Sequence, residues 1–167
     1  MEHFLSYMKS ALVVIFCVLA LVSKIYSLEN VTERHISAWV RGGEYLYLYN
    51  NIKLSWLDAE MYCSKLCAHL TSIHSLQEKR CVEYFISEYE GQWTWLGGFK
   101  LPNSTQYLWT DGTAWDFVGG WGLGQPNNVM ENNCIQNGRS WFNYRCEDLV
   151  PSICKKRIDD ASDCNDT

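Results

Sequence analysis

Cysteine is the residue type in this chain whose number could do the most chemistry. Eight are present, with Cys17 inside an apolar run and the others at Cys63, Cys67, Cys81, Cys134, Cys146, Cys154 and Cys164. No two form a C-x-x-C pair, which argues against a zinc site. In an oxidising compartment they form bridges; with Cys17 lost in a leader, seven remain, and an odd number leaves one thiol over. Spacing alone does not fix the pairing. His69 and His74 stand five apart, at a helix end and a turn, and read as surface or packing histidines. No Ser/His/Asp arrangement, phosphate-cradling loop or activated nucleophile emerges, so a secreted enzyme is the weakest of the readings.

The compartment follows from residues 11–22, ALVVIFCVLALV, an unbroken apolar run with Lys9 before it and Lys24 after it. A membrane span needs about twenty apolar residues, so this shorter run matches the hydrophobic region of a secretory signal. Cleavage is expected after Ser27, with Ser23 as the alternative. Residues 1–27 are then a signal peptide, and the product is secreted, extracellular and not membrane-spanning. Three sequons agree with this route: Asn30-Val-Thr, Asn103-Ser-Thr and Asn165-Asp-Thr. Asn103, beside Pro102, is the best placed for glycosylation.

The formal charge of −5, from 14 Lys+Arg against 19 Asp+Glu, argues against a nucleic-acid binder, which would show a basic face. With 47% hydrophobic and 20% charged residues, wholesale disorder is excluded, and 167 residues suit one domain with appendages. Residues 28–36 read as an N-terminal extension, 37–157 as the domain and 158–167 as an acidic tail.

The elements can be read from pattern. Residues 44–49, EYLYLY, alternate as a strand. Ser55-Trp-Leu-Asp58 and Ser75-Leu-Gln-Glu78 have the form of capping boxes, and apolar residues at three- and four-residue steps follow each, so helices are expected at 56–68 and 76–88. Short strands are expected at 93–97, 107–109, 133–136, 139–142 and 151–154. Residues 110–133 carry almost no strand pattern, and a loop of that length inside a compact domain is usually functional. The chain is therefore α+β, with two helices, short antiparallel strands and one long loop. Trp56, Trp95, Trp109 and Trp141 read as core. Trp115 and Trp121 flank the loop, where packing outweighs a stacking role.

From Trp39 to Cys154 the chain carries, in order, Ala59-x3-Cys63, His69-Leu70-x2-Ile73, Trp95-Leu-Gly-Gly98, Trp109-x-Asp-Gly112, Trp121-x2-Gly-Gln-Pro-Asn-Asn128, Cys134, Trp141, Cys146 and Ile153-Cys154. In this order and spacing the stretch resembles a C-type lectin-like domain, and is similar to small secreted fish lectins and type II antifreeze proteins. The resemblance implies a disulfide-stapled C-type lectin-like fold with Cys63 paired to Cys154 and Cys134 to Cys146. Cys67 and Cys81 are then expected to pair, leaving Cys164 for a disulfide-linked homodimer or a small-thiol cap.

The resemblance also implies a ligand set in the long loop. In sugar-binding members, calcium is held by side chains that also hydrogen-bond two vicinal sugar hydroxyls. Carried over, these are Gln125, Asn127, Glu131 or Asn132, Phe142 and Asn143, with a cis Gln125–Pro126 bond. Two departures stand out. Gln125-Pro-Asn127 carries two neutral amides where relatives have Glu-Pro-Asn or Gln-Pro-Asp, and Trp141-Phe142-Asn143 replaces Trp-Asn-Asp. At most one carboxylate remains, so calcium, held by Gln125, Asn127, Glu131 and Asn143, falls at the weak end of oxygen-site affinities. The bland alternative is that these amides are polar loop residues satisfying turns. The expected function is carbohydrate recognition through Gln125, Asn127, Glu131, Asn132 and Asn143, with glycans or glycoproteins as partners. The alternative is a calcium-independent protein- or ice-binding domain.

Overall fold

The computed structural model describes residues 38–89, 93–102 and 104–159. The signal peptide, the N-terminal extension, the sequon asparagines Asn30, Asn103 and Asn165, and Cys164 lie outside them. The described elements run β1 (Val40–Gly42), β2 (Tyr45–Leu54), α1 (Trp56–Ser64), β3 (His69–Leu70), α2 (Leu76–Ser87), β4 (Thr94–Lys100), β5 (Tyr107–Trp109), β6 (Asn132–Asn137), β7 (Trp141–Arg145) and β8 (Val150–Arg157).

Both helices start where the serine caps place them. Ser55 Oγ accepts from the Asp58 N–H at 3.2 Å, and Ser75 Oγ accepts from the Glu78 N–H at 3.1 Å. α1 ends at Ser64, earlier than the apolar spacing suggests. Cys67 takes a left-handed φ of 52°, and the Leu66 and Ala68 N–H groups both return to the Cys63 carbonyl, which closes the helix. Leu70, four residues past Leu66, is released into β3.

The strands form one sheet in the order β1-β2-β8-β4-β6-β7, with β3 added to β8 and β5 to β4. Every pairing is antiparallel except β4 with β8, which is parallel through Trp95 and Ser152. The all-antiparallel expectation is corrected there, because β4 and β8 are joined through the whole β5–β7 excursion rather than by a hairpin. Leu96, Ile135, Ile153 and Trp141 are completely buried on one side of the sheet, and Trp95, Leu70, Ala59 and Cys63 on the other. Each such large apolar side chain contributes about 1.5–3 kcal/mol. Two indoles also bond across elements: the buried Trp95 Nε1 donates to the Leu54 carbonyl at 2.9 Å, and the partly buried Trp56 Nε1 to the Leu96 carbonyl at 2.8 Å.

Cys63 and Cys154 are bonded, tying α1 to β8, and Cys134 and Cys146 are bonded across the end of the β6–β7 hairpin. The Cys67–Cys81 pairing is overturned. Cys67 is disulfide-bonded, but Cys81 is an exposed free thiol. The reason is direction: Cys81 Sγ sits on α2 against the β1–β2 turn, 3.3 Å from where a Cβ on Gly42 would be, and the Cys67 partner lies outside the described residues.

The Cys63–Cys154 bridge spans 91 residues of chain. Replacing both by alanine is expected to cost about 2–5 kcal/mol, read as a lowered thermal midpoint against the parent chain. A change within error would show that this staple does not restrict the unfolded chain.

Candidate binding site

The irregular segment between β5 and β6 is shaped by β7 from below. Trp141 is completely buried, its backbone N–H donates to the Gly120 carbonyl at 2.7 Å, and the Gly122 N–H donates to the Trp141 carbonyl at 3.1 Å. A Cβ on Gly120 would lie 2.0 Å from the Trp141 ring, so only glycine allows the loop to lie on the indole. Around it, Trp115 stacks on Trp109 at 4.4 Å, and Trp121 packs edge-on against Tyr107 and Trp141. Trp115 and Trp121 are thereby packing residues.

The Gln125–Pro126 bond is cis, as expected from the resemblance. Asn127, Asn132 and Asn143 are brought together beside it. The completely buried Asn143 is the hub. Its Oδ1 accepts from the Asn127 N–H at 2.7 Å, while Nδ2 lies within hydrogen-bond range of the Asn127 carbonyl (2.9 Å), the Asn132 carbonyl (3.0 Å) and Asn127 Oδ1 (3.2 Å). Asn127 Oδ1 also receives the Val129 N–H and Asn132 Nδ2, and Gln125 Oε1 receives the Asn127 backbone and side-chain N–H groups. Glu131 takes no part in this network. It is exposed in the turn that leads into β6, where the Asn132 N–H returns to the Val129 carbonyl.

Calcium needs six to eight oxygens directed at one point. Here the amide oxygens of Gln125, Asn127 and Asn143 are each turned onto N–H donors of the loop itself. Among the described residues no group of three or more His, Cys, Asp or Glu side chains is placed to hold a metal. As arranged, the donor set does not fit calcium. Phe142 is not a member of the cluster at all. Strand alternation turns it away from Asn143, and its ring packs edge-on against Trp93 at 5.3 Å.

A second polar cluster escaped the sequence reading. His74 Nδ1 lies 2.8 Å from Asp116 Oδ1, and His74 Nε2 lies 3.1 Å from both Ser72 Oγ and Thr113 Oγ1. This has the outline of a Ser/His/Asp relay, but Ser72 is completely buried and its hydroxyl donates to Asp111 rather than to the imidazole. Lys155 Nζ adds a donor to the Ser72 carbonyl at 3.0 Å and to Glu78. The cluster therefore fastens the start of the long loop to α2 and β8. The Ser72/His74 pair and the Asp111/Asp116 pair stand 39 and 42 residues apart across their contacts, so no local spacing motif could have announced the cluster.

Burial alone would raise the Asp111 carboxyl, but hydrogen bonds from Ser72 and Thr113 and the Lys155 charge outweigh it and hold it below its usual range. A carboxylate lowered in this way stabilises the fold fully above its unfolded value of about 3.9, and the contribution is lost as pH falls through the lower folded value. Asp111→Asn is expected to cost about 1–3 kcal/mol at neutral pH and to flatten the acid limb of the stability profile; an unchanged acid limb in urea unfolding would count against this role. Asn143→Ala is expected to cost about 2–4 kcal/mol by stranding the Asn127 and Asn132 carbonyls, measured by the same unfolding experiment.

A lectin C-type domain model matches residues 52–156. A type-2 ice-structuring protein of Osmerus mordax is 34% identical over 114 residues, 66% of this chain, and the match spans 64% of that protein, just under two thirds of its length. The galactose-specific lectin nattectin of Thalassophryne nattereri is 27% identical over 139 residues, covering 77% of this chain and 87% of nattectin. A solved calcium-independent type II antifreeze protein superposes with a TM-score of 0.66 at 28% identity, over 71% of this chain and 91% of that one. The stapled mixed sheet, the two capped helices and the loop seated on Trp141 are thus those of a known domain type, and the chain belongs to the lectin C-type domain family.

Proposed function

We propose that this protein is a secreted binding domain, not an enzyme, that recognises carbohydrate on glycans or glycoproteins through its long loop without requiring calcium. The observation that carries this reading is the closed amide network. It spends the oxygens that would bind a metal on fixing the loop, with Asn143 and Asn132 as the internal braces. A loop fixed before binding loses less entropy when a ligand arrives. Gln125, half-buried, and Asn128 and Glu131, exposed, are then left to meet sugar hydroxyls. In this reading residues 1–27 are removed as a leader, 28–36 and 158–167 flank the domain, and Asn30, Asn103 and Asn165 carry glycans.

A second reading is favoured by a different observation. Val118, Leu123, Val129 and Met130 of the same loop are 69%, 104%, 50% and 85% exposed. Exposed apolar groups beside a rigid loop suit a calcium-independent ice or protein surface, and relatives include an ice-structuring protein.

Glycan-array binding of the full chain in calcium and in chelator separates these. The expected result is the same set of bound glycans in both buffers, with Gln125→Ala and Asn128→Ala each weakening binding about fivefold or more. No glycan bound in either buffer, together with thermal hysteresis of ice growth, would replace the first reading by the second. Binding abolished by chelator would overturn the calcium-independent mechanism.

A further inference from the structure

An open cleft of about 640 Å³ lies between the C-terminal half of α2 and the β6–β7 hairpin. It holds none of the long-loop amides. Trp93, Phe142 and Ile86 supply its apolar faces, and Glu83, Ser87 and Arg139 its polar ones. Trp93 keeps 41% of its surface open, while Phe142 at 5.3 Å and Tyr144 at 6.1 Å hold its ring in place. A Cβ on Gly122 would come within 3.2 Å of the Phe142 ring, so the loop backs this wall and keeps it from moving.

The polar groups are of complementary kinds. Arg139, exposed at the hairpin turn, makes no hydrogen bond or ion pair with any described residue, so its guanidinium fork is an available donor. Glu83 is held by Lys79 through Oε1, leaving Oε2 as an acceptor. Ser87 Oγ donates to the Tyr84 carbonyl at 2.6 Å and keeps its lone pairs. An indole face with a donor fork and a carboxylate lining the same cleft suits a pyranose ring. Its C–H face meets the electron-rich ring, and adjacent hydroxyls donate one hydrogen bond to a carboxylate and accept one from a guanidinium. A cleft of this size, largely apolar with a few directed polar groups, is in the range for one or two such rings. Arg139 by itself would attract a carboxylate, but Glu83 lines the same cleft and repels one, whereas uncharged hydroxyls can use both groups.

We propose that this cleft is a saccharide site separate from the long loop, binding a neutral hexopyranose with its C–H face on Trp93 and its hydroxyls between Arg139 and Glu83. It stands or falls independently of the long-loop reading.

The test is a titration of the full chain, labelled with nitrogen-15 at the indoles and kept in chelator, with methyl galactoside, methyl mannoside, maltose and N-acetylneuraminic acid. The Trp93 resonance is assigned by its loss in Trp93→Phe. The expected result is a saturable shift of that resonance with at least one neutral sugar. Trp93→Ala and Arg139→Gln should each weaken it about tenfold or more, the Trp93→Ala affinity being read by calorimetry, while Gln125→Ala leaves it unchanged. Arg139 is exposed and outside the core, so its variant remains informative if Trp93→Ala misfolds. The proposal is overturned by no shift with any neutral sugar, by a shift with N-acetylneuraminic acid alone, or by loss in Gln125→Ala with retention in Arg139→Gln. Loss of array binding in Gln125→Ala with the Trp93 shift intact would bear on the long loop alone.

Discussion

Two successive inward side chains of β7 hold the long loop in shape. Trp141 and Asn143 are both completely buried. The first offers a flat ring onto which Gly120 descends; the second offers an amide that accepts one N–H and faces three carbonyl oxygens of the loop. A segment with so little regular structure carries many backbone groups that cannot all reach water. Without internal partners of this kind it would be a floppy connection. With them it becomes a rigid surface, and the rest of the architecture serves to keep β7 in place. The Cys134–Cys146 bond closes the hairpin that contains it, and the Cys63–Cys154 bond holds the sheet to α1.

The loop is also fastened at its other end. Asp111 and Asp116 reach Ser72 and His74, and Lys155 from β8 joins the same cluster and bonds to Glu78 on α2. A buried lysine and a partly buried carboxylate are costly apart and compatible together. The cluster thus couples three elements through charge-assisted bonds. It also shows why the outline of a catalytic relay is insufficient to assign catalysis: the serine proton is committed to a carboxylate and the hydroxyl has no route to a substrate.

The same economy explains the relation to calcium. An amide oxygen that accepts two or three N–H groups has no lone pair left for an ion, and turning it outward would leave those donors unsatisfied. Replacing carboxylates by amides therefore does more than reduce charge. It supplies N–H donors that let the loop hold itself shut, with Asn132 Nδ2 and Asn143 Nδ2 standing where a carboxylate would have only oxygens. On the opposite face of β7, Phe142 has left the cluster and joined Trp93 and Tyr144, forming a second kind of surface.

Local chemistry made part of this legible in the sequence. Ser55 and Ser75 start helices because a serine oxygen three residues before a free N–H caps it wherever it occurs, and Tyr107-Leu-Trp109 is a strand because of its side chains and the Asp111-Gly112 turn. The ordered cysteines, tryptophans and the Gln-Pro-Asn segment marked the domain type and its long loop. Three-dimensional placement decided the remainder. α1 stops at Ser64 because Cys67 turns left-handed, Cys81 misses Cys67 because it faces the β1–β2 turn, and Glu131 is left outside while Asn132 enters, because Glu131 stays in the exposed turn and β6 begins at Asn132. The His74 cluster and the Trp93 cleft join residues tens of positions apart. The sequence by itself determined the segments, since those depend on neighbours along the chain, and its resemblance to a known domain type marked the Cys63–Cys154 and Cys134–Cys146 bridges; the state of Cys67 and Cys81, and which polar atoms face one another, depend on register and packing across the sheet, and that only the tertiary structure decided.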